Sequence, residues 1–473
     1  MPIAVLICLA RPLAAADLAQ QSDVAGALQL VDLWLREQIE AGAAPGLSVA
    51  VVHDQDLIWS GGYGWSDLAA RTPATSSTLY RIGSVSKLFT ATAVMQLRDA
   101  GKLALDDPVA KYLPEFQVKN PFSGTPPVTV RHLLTQTSGL TREAPFPYWT
   151  THVFPGREDI LGSLSRLTLT SAPGETYKYS NLGVALLGII AERVSGERYS
   201  DYLAHHIFAP LGMTNSSAAP NAEQLARRAT PYYRRASDGS RRVFPYYDMN
   251  GLAAAGNIVS NVEDLARFAA LQFSSGPAGG AQILAGATLR EMQRAQFVNP
   301  AFTGGRGLGF AVTRADGVTL VTHAGWIGGN RTHFLLAPAS KLAVIVAVNA
   351  DDANPSFFSR QIHDLVAPAL AKATATPPSA RVADPAWERY VGVYRDPWGW
   401  ETQVRVMGGE LVVYEHDYPP EDDPRDGVTR LTPAGEDTFW MPDGETVVFE
   451  IGPDGKVERL RWRFEYLTPV PSK

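Results

Sequence analysis

The sequence is poor in cysteine: among 473 residues the only one is Cys8, which lies in the first apolar stretch. A mature chain that starts near Asp17 would hold no thiol, which excludes disulfides, cysteine catalysis and cysteine-ligated metals. Beyond the N-terminus there is no run of about 18 apolar residues, so no transmembrane helix is expected. The formal net charge of −6 argues against a nucleic-acid-binding protein, which would carry a basic face.

Several catalytic signatures are also absent. The chain has no G-x-S-x-G elbow, no H-E-x-x-H and no Walker-type loop, which excludes α/β-hydrolases, zincin proteases and P-loop nucleotide binding. His205 and His206 are adjacent, and neighbouring residues on a helix point apart, so they are not expected to share a metal. We therefore expect neither a metal nor a cofactor.

Residues 1–16 predict a signal peptide. An apolar stretch is followed by small residues, 14–16, before Asp17, as at an A-x-A-like cleavage site. No basic residue precedes the apolar stretch, and Arg11 interrupts it; a start codon placed too far downstream would explain both features. The alternative is a frayed apolar tail. The pattern predicts an exported, periplasmic protein.

Residues 22–372 predict one α+β domain. Strand-like runs occur early, at 46–53 and 57–65, and again late, between residues 307 and 350. The segment between them, from Ser84 to about residue 270, is mostly helical with long Pro/Gly-rich loops. Strands at both ends predict a single antiparallel sheet flanked by helices, with a helical subdomain inserted and a cleft between the two.

The composition changes after this domain. Residues 373–384 are rich in Ala, Thr and Pro, which is typical of a linker. From 385 to 473 apolar and polar residues alternate between Gly-Gly and Asp-Gly turns, so we expect a small all-β, barrel-like domain.

The run Ser84-Val85-Ser86-Lys87 is the first candidate catalytic motif. Positions i and i+3 share a helix face, so the Ser84 hydroxyl and the Lys87 ammonium can meet. A serine at a helix N-terminus also has unpaired backbone N–H groups nearby, which would stabilise an oxyanion. The motif alone fits a plainer interpretation as well, in which Ser84 is an N-cap and Lys87 is solvated.

Two further segments carry candidate groups. Tyr179-Ser180-Asn181 precedes an apolar helical run; a tyrosine can act as a base and an asparagine can orient an amide, although the triplet could simply cap the helix. His323-Ala324-Gly325 ends a strand-like run, and Gly325, with Gly328 and Gly329, would let a substrate approach the backbone. Taken alone, a strand histidine is more often structural.

These three segments, in this order, resemble the serine β-lactamase and penicillin-binding-protein superfamily. The resemblance is to the class C β-lactamase-like branch, with its family VIII esterase and D-aminopeptidase relatives. The phrases "APGLSVAVVHD", "VTVRHLLTQTSGL" and "AAGNIVSNVEDLARF" extend it over roughly residues 25–370. The C-terminal domain resembles, more weakly, the lipocalin-like domain appended to some of these hydrolases.

The resemblance implies a role for each candidate residue. Ser84 is the acylated nucleophile, Lys87 its proton partner, and Tyr179 the acylation base and the acid for the leaving group. Which of Lys87 and Tyr179 takes the first proton stays open. Asn181 would hold the substrate amide. The backbone N–H groups of Ser84 and Trp326 would form the oxyanion hole, and His323 and Gly325 would contact the substrate.

One departure from the family pattern affects the expected substrate. Class C β-lactamases have Lys-Thr-Gly where this chain has His323-Ala324-Gly325. A mostly neutral histidine and an alanine should grip a substrate carboxylate weakly. The implied function is hydrolysis of small carboxylic esters or D-amino-acid-type amides through an acyl-enzyme, with weak or no β-lactam turnover.

The alternatives are a penicillin-binding or peptidoglycan-sensing protein that is acylated without turnover, a true class C-like β-lactamase, and acyl transfer to an alcohol or amine. Peptidoglycan fragments are candidate partners. The C-terminal domain is expected either to shape the cleft or to build an oligomer. The aromatic-rich loops 142–156 and 231–251 are expected to line the cleft.

Overall fold

The structure is a computed structural model that describes residues 15–274, 282–315, 317–375, 384–407, 409–415 and 428–471. Its contacts divide it into two units, Met1–Thr374 and Ala375–Lys473. Most of the expected signal peptide, residues 1–14, and of the expected linker, residues 376–383, lies outside the described residues. Among the described helices, none is long and apolar enough to cross a membrane.

The first unit contains fourteen α-helices within its described residues. They are α1 Ala15–Gln20, α2 Ser22–Glu40, α3 Ser86–Asp99, α4 Val109–Tyr112, α5 Val130–Leu134, α6 Tyr148–Thr151, α7 Arg157–Ser163, α8 Asn181–Ser195, α9 Tyr199–Leu203, α10 Ala222–Arg227, α11 Ala253–Gly256, α12 Val262–Gln272, α13 Gly286–Gln293 and α14 Pro355–Thr374. Helices α4 to α11 form the inserted helical part.

A nine-stranded antiparallel sheet joins the two ends of this unit. Its order is β3-β2-β1-β11-β10-β9-β8-β7-β6. The strands are β1 Gly46–His53, β2 Asp56–Asp67, β3 Thr72–Pro73, β6 Phe297–Val298, β7 Gly304–Arg306, β8 Ala311–Ala315, β9 Val318–Ile327, β10 Asn330–Ala337 and β11 Leu342–Val348; β4 Tyr80–Arg81 and β5 Val259–Ser260 pair separately. The α+β fold expected from the sequence is confirmed, since early β1 pairs along its length with late β11.

The sheet is covered on both faces, which explains why its central strands are apolar throughout. Because side chains alternate along a strand, Val49 and Val51 of β1 pack in a cluster with residues of α2 and α14. Ala50 and Val52 pack on the opposite face, with residues of α3 and α12. This second cluster packs α3 against the sheet, and the candidate nucleophile Ser84 lies just before the first residue of α3.

The second unit is an all-β module, as expected from its alternating pattern. Its strands are β12 Gly392–Arg395, β13 Glu401–Met407, β14 Glu410–Glu415, β15 Val428–Arg430, β16 Thr432–Gly435, β17 Thr438–Trp440, β18 Thr446–Ile451, β19 Val457–Trp462 and β20 Glu465–Pro469. They pair in the order β15-β14-β13-β12-β20-β19-β18-β17-β16. The two edge strands, β15 and β16, are separated in the chain by Leu431 alone. The sheet must therefore curl until its edges meet, which makes a nearly closed barrel.

Candidate active site

Ser84 lies in a 3-10 turn, Gly83–Val85, that leads directly into α3. Gly83 has a φ of 53°, and a Cβ there would lie 2.7 Å from the backbone nitrogen of Trp326. Only glycine accommodates both this conformation and this approach. The turn therefore places Ser84 next to the segment of β9 that contains Trp326.

The Ser84 hydroxyl accepts two hydrogen bonds. The Tyr179 hydroxyl donates to Ser84 Oγ at 2.7 Å, and Lys87 Nζ donates to it at 3.0 Å. The contact between Ser84 and Lys87 is the one predicted from the i, i+3 spacing. Lys87 is only 3% exposed, so the alternative of a solvated lysine is wrong.

Asn181 joins the same network. Lys87 Nζ donates to Asn181 Oδ1 at 2.8 Å and to the backbone oxygen of Ala255 at 2.7 Å. Ser180, between Tyr179 and Asn181, is the N-cap of α8 and accepts from the backbone N–H of Gly183 at 2.8 Å. The triplet thus caps the helix and also directs two polar side chains towards Ser84.

Strand β9 forms the opposite wall. A Cβ on Gly325 would lie 2.0 Å from the backbone oxygen of Ile82 and 3.4 Å from the backbone nitrogen of Ser84. The absence of a side chain at Gly325 is therefore what lets β9 lie directly beside Ser84. The Trp326 indole donates to Asp351 Oδ1 at 2.7 Å.

His323 is half-buried on β9. Its Nδ1 lies 2.8 Å from the backbone oxygen of Ala324, a contact in which the ring nitrogen donates. Burial, reinforced by the nearby Lys87 ammonium, lowers the pKa of His323 to about 3. The imidazole is therefore neutral at neutral pH and offers no fixed charge to a substrate carboxylate.

A cleft of about 390 Å³ opens beside Ser84. Aromatic side chains from the two loops and from β9 make up much of its wall: Trp149, His152, Phe244, Tyr247 and Trp326. This confirms the expectation that the two aromatic-rich loops line the cleft. The ring centroids of Trp149 and Trp326 lie 5.8 Å apart. His152 stacks on Tyr247 with 5.0 Å between the ring centroids.

Two acidic residues near the site were not predicted from the sequence. Glu143 lines the cleft, and its Oε1 accepts from Asn181 Nδ2 at 2.7 Å. Asp351 accepts from the Trp326 indole and, at 3.0 Å, from the backbone N–H of Gly329. Among the described residues there is no cluster of three or more His, Cys, Asp or Glu side chains that could hold a metal ion.

Comparison with known proteins gives a family match for each unit. The family described as Beta-lactamase matches residues 31–369, and Domain of unknown function (DUF3471) matches residues 375–469. Beta-lactamase-like protein 2 of Dictyostelium discoideum is 27% identical over 350 residues, which cover 72% of this chain and 62% of that protein. The chain thus spans less than two thirds of this relative.

Two solved structures share the fold. The octameric penicillin-binding protein homologue from Pyrococcus abyssi is 26% identical with a TM-score of 0.63, and the match covers 93% of this chain and 99% of that one. The Beta-lactamase/D-alanine carboxypeptidase from Yersinia pestis is also 26% identical, with a TM-score of 0.62 over 74% of this chain and 100% of that one.

The family match covers most of the chain and contains every candidate catalytic residue. It confirms the resemblance that the motifs predict, whereas the lipocalin likeness of the second unit stays a prediction. The chain belongs to the Beta-lactamase family, within the serine β-lactamase and penicillin-binding-protein superfamily, and has the fold of that superfamily.

Proposed function

We propose that this protein hydrolyses carboxylic esters or D-amino-acid-type amides through an acyl-enzyme on Ser84, with weak or no β-lactam turnover. One observation carries the proposal: Ser84 Oγ accepts hydrogen bonds from both the Tyr179 hydroxyl and Lys87 Nζ. A serine hydroxyl is a weak nucleophile until a neighbouring group takes its proton, and this arrangement supplies two such groups.

The reaction proceeds in two halves. Once the Tyr179–Lys87 pair has released one proton to solvent, Ser84 Oγ attacks the substrate carbonyl and passes its own proton to that pair. The oxyanion faces the backbone N–H groups of Ser84 and Trp326. Tyr179 then protonates the leaving group as the carbon–oxygen or carbon–nitrogen bond breaks. Water, deprotonated by the same pair, attacks the acyl carbon and releases Ser84 with its proton restored. Asn181 holds the substrate amide during both halves.

The substrate preference follows from β9 and from the cleft. The pKa of His323 lies far below neutral pH, and Ala324 has no hydroxyl, so this strand offers neither a cation nor a side-chain donor to a substrate carboxylate. The aromatic wall of the cleft favours an apolar group next to the carbonyl. His323, Gly325 and Trp326 contact the substrate mainly through backbone and ring surfaces.

The proposal of D-amino-acid-type amides as substrates has separate support. The Yersinia pestis protein, 26% identical to this chain, is described as a Beta-lactamase/D-alanine carboxypeptidase. Peptidoglycan fragments with D-alanine amides are therefore included among the proposed substrates. Export to the periplasm, proposed from residues 1–16, would bring the enzyme to them.

We extend the proposal to self-association through the second unit. The Pyrococcus abyssi protein is described as octameric, and its match covers 93% of this chain, including the barrel. One end of the barrel exposes Trp398 by 79%, Trp400 by 59% and Phe464 by 89%, and large exposed apolar patches mark contact surfaces. Light scattering of the wild type and of Trp398→Ser/Phe464→Ser tests this: an unchanged mass, or a monomeric wild type, would remove it.

The test of the enzymatic proposal is steady-state hydrolysis of p-nitrophenyl butyrate, D-alanine p-nitroanilide and benzylpenicillin. Wild type, Ser84→Ala and the control Ser200→Ala, on α9, are compared. The ester or the anilide should be turned over with a higher kcat/KM than the penicillin, and only Ser84→Ala should abolish turnover. Better turnover of benzylpenicillin, or equal rates in Ser84→Ala, would overturn the assignment.

A further inference from the structure

Glu143 is a carboxylate in the loop between α5 and α6, beside Ser84, and its side chain is 22% exposed. Its Oε1 accepts from Asn181 Nδ2 at 2.7 Å and from Arg142 Nε at 3.2 Å. Its Oε2 accepts from the Tyr148 hydroxyl at 2.6 Å. That hydroxyl in turn accepts from the backbone N–H of Ala144 at 3.1 Å, so its one hydrogen is committed to Glu143.

The loop that carries Glu143 is fixed to the start of α8. The backbone N–H of Asn181 donates to the Arg142 oxygen at 2.8 Å, and Ser180 Oγ donates to the Thr141 oxygen at 2.7 Å. A carboxylate at the N-terminus of a 15-residue helix is also favoured by the helix dipole. The contact between Glu143 and Asn181 is therefore held by the backbone as well as by the two side chains.

This contact determines the orientation of the Asn181 amide. The amide oxygen faces the Lys87 ammonium and the amide nitrogen faces the Glu143 carboxylate. Rotating the amide by half a turn would place its N–H groups against an ammonium and its oxygen against a carboxylate. Because both neighbours are charged, with opposite signs, only one orientation satisfies them.

Lys87 has three hydrogens, and each has a partner: Ser84 Oγ, Asn181 Oδ1 and the backbone oxygen of Ala255. The hydrogen-bond network around this buried ammonium reaches a carboxylate through the amide of Asn181. We infer that Glu143 is a positioning residue: it orients Asn181, and through it fixes the place and charge of Lys87 beside the nucleophile. This inference rests on the function proposed above.

Several titratable and charged side chains surround Glu143 and Lys87. Lys87 is faced by Tyr179, whose ring centroid is 4.9 Å from Nζ, and by the neutral His323. Glu143 is faced by the cation Arg142, which also lies over the Tyr179 ring, and by Tyr148. Removing the anion makes the electrostatic potential around Ser84 more positive. The alkaline rise of the reaction rate should move to lower pH by about one unit.

The experiment measures the rate at which a fluorophosphonate probe labels Ser84, from pH 5 to pH 10, on the full chain. This readout needs no knowledge of the natural substrate. The variants are Glu143→Gln, which keeps the shape but removes the charge, and Tyr148→Phe, which keeps the charge but removes one support. Asn181→Ala and the double variant Asn181→Ala/Glu143→Gln complete a double-mutant cycle for the pair Glu143 and Asn181. Circular dichroism verifies that each variant folds.

Glu143→Gln should slow labelling at least tenfold and shift the pH profile, whereas Tyr148→Phe should slow it without a shift. In the Asn181→Ala background, Glu143→Gln should add less than a twofold effect.

An unshifted profile, or full additivity in the double variant, would overturn the positioning role and leave the hydrolase proposal standing. A wild type that is not labelled at Ser84 would instead overturn both. If Glu143→Gln does not fold, Tyr148→Phe and Glu143→Asp decide: wild-type rates in both would reject the inference.

Discussion

Asp351 supports the part of β9 that faces Ser84. Its Oδ1 accepts from the indole of Trp326, near the end of β9, and from the backbone N–H of Gly329, in the turn between β9 and β10. A hydrogen bond to a charged acceptor contributes about 1.5–3 kcal/mol, more than a neutral one. Asp351 is therefore placed to hold the Trp326 backbone N–H where an oxyanion would form.

Replacing Asp351 tests this at the scale of one residue. Asp351→Ala should lower kcat for the preferred substrate about tenfold with little change in KM, because only the transition state uses the oxyanion contact. Asp351→Asn keeps an acceptor oxygen and should lose much less. Steady-state kinetics of the two variants measure the difference; a pure KM effect, or equal losses, would contradict this role.

Residue spacing predicted part of the site. The contact between Ser84 and Lys87 follows from helix geometry, since the two residues are three positions apart. Glu143 and Asp351 did not stand out, because their partners Asn181 and Trp326 are 38 and 25 positions away in the chain. Only tertiary packing brings such pairs together, and an isolated acidic residue in a loop gives no signal of it.

The close packing of β9 against the 3-10 turn at Gly83 requires that residue 325 has no side chain. A Cβ on Gly325 would lie 2.0 Å from a backbone oxygen, which cannot move aside as a flexible side chain would. Gly325→Ala should therefore lower both kcat/KM, by roughly a hundredfold, and the melting temperature. In the control Gly162→Ala, on α7, the added methyl meets nothing within 4 Å. A Gly325→Ala enzyme as active as Gly162→Ala would contradict the close packing.

The sheet also carries an acid-sensitive group. His333, on β10, is 8% exposed, and burial lowers its pKa to about 4. Between pH 6.5 and about 4 the unfolded chain binds a proton that the folded one does not, so stability falls as the pH falls through this range. The full loss in the free energy of unfolding over this pH range is about 3 kcal/mol. Urea unfolding at pH 7 and pH 4.5 should show a smaller loss for His333→Gln than for the wild type; equal losses would reject this assignment.

The elements themselves were predicted unevenly. The pairing of β1 with β11 follows from apolar runs at both ends of the domain, because a strand buried on both faces is apolar throughout. The turn Gly83–Val85 was not predicted as separate from the helix. Its geometry is set by contact with Trp326, more than 240 positions away in the chain, which local periodicity does not report.

At the scale of the whole molecule, the site and the core that supports it belong to residues 15–374. The cleft and every hydrogen bond to Ser84 and Lys87 described above involve residues of the first unit alone. The second unit has its own core, which includes Val404, Phe449 and Leu460. A chain that ends at residue 374 should therefore fold and keep its ester or amide turnover. Loss of turnover in a truncated chain with native circular dichroism would assign the barrel a role in catalysis.

Mass spectrometry of an acid-quenched reaction shows whether Ser84 is acylated during turnover. Wild type is mixed with p-nitrophenyl butyrate and quenched during turnover, then digested, with Ser84→Ala treated alongside. We expect one butyryl group on the peptide that contains Ser84, formed and lost at the rate of turnover and absent from the variant. An adduct on another residue, or sustained turnover with no adduct on Ser84, would contradict it.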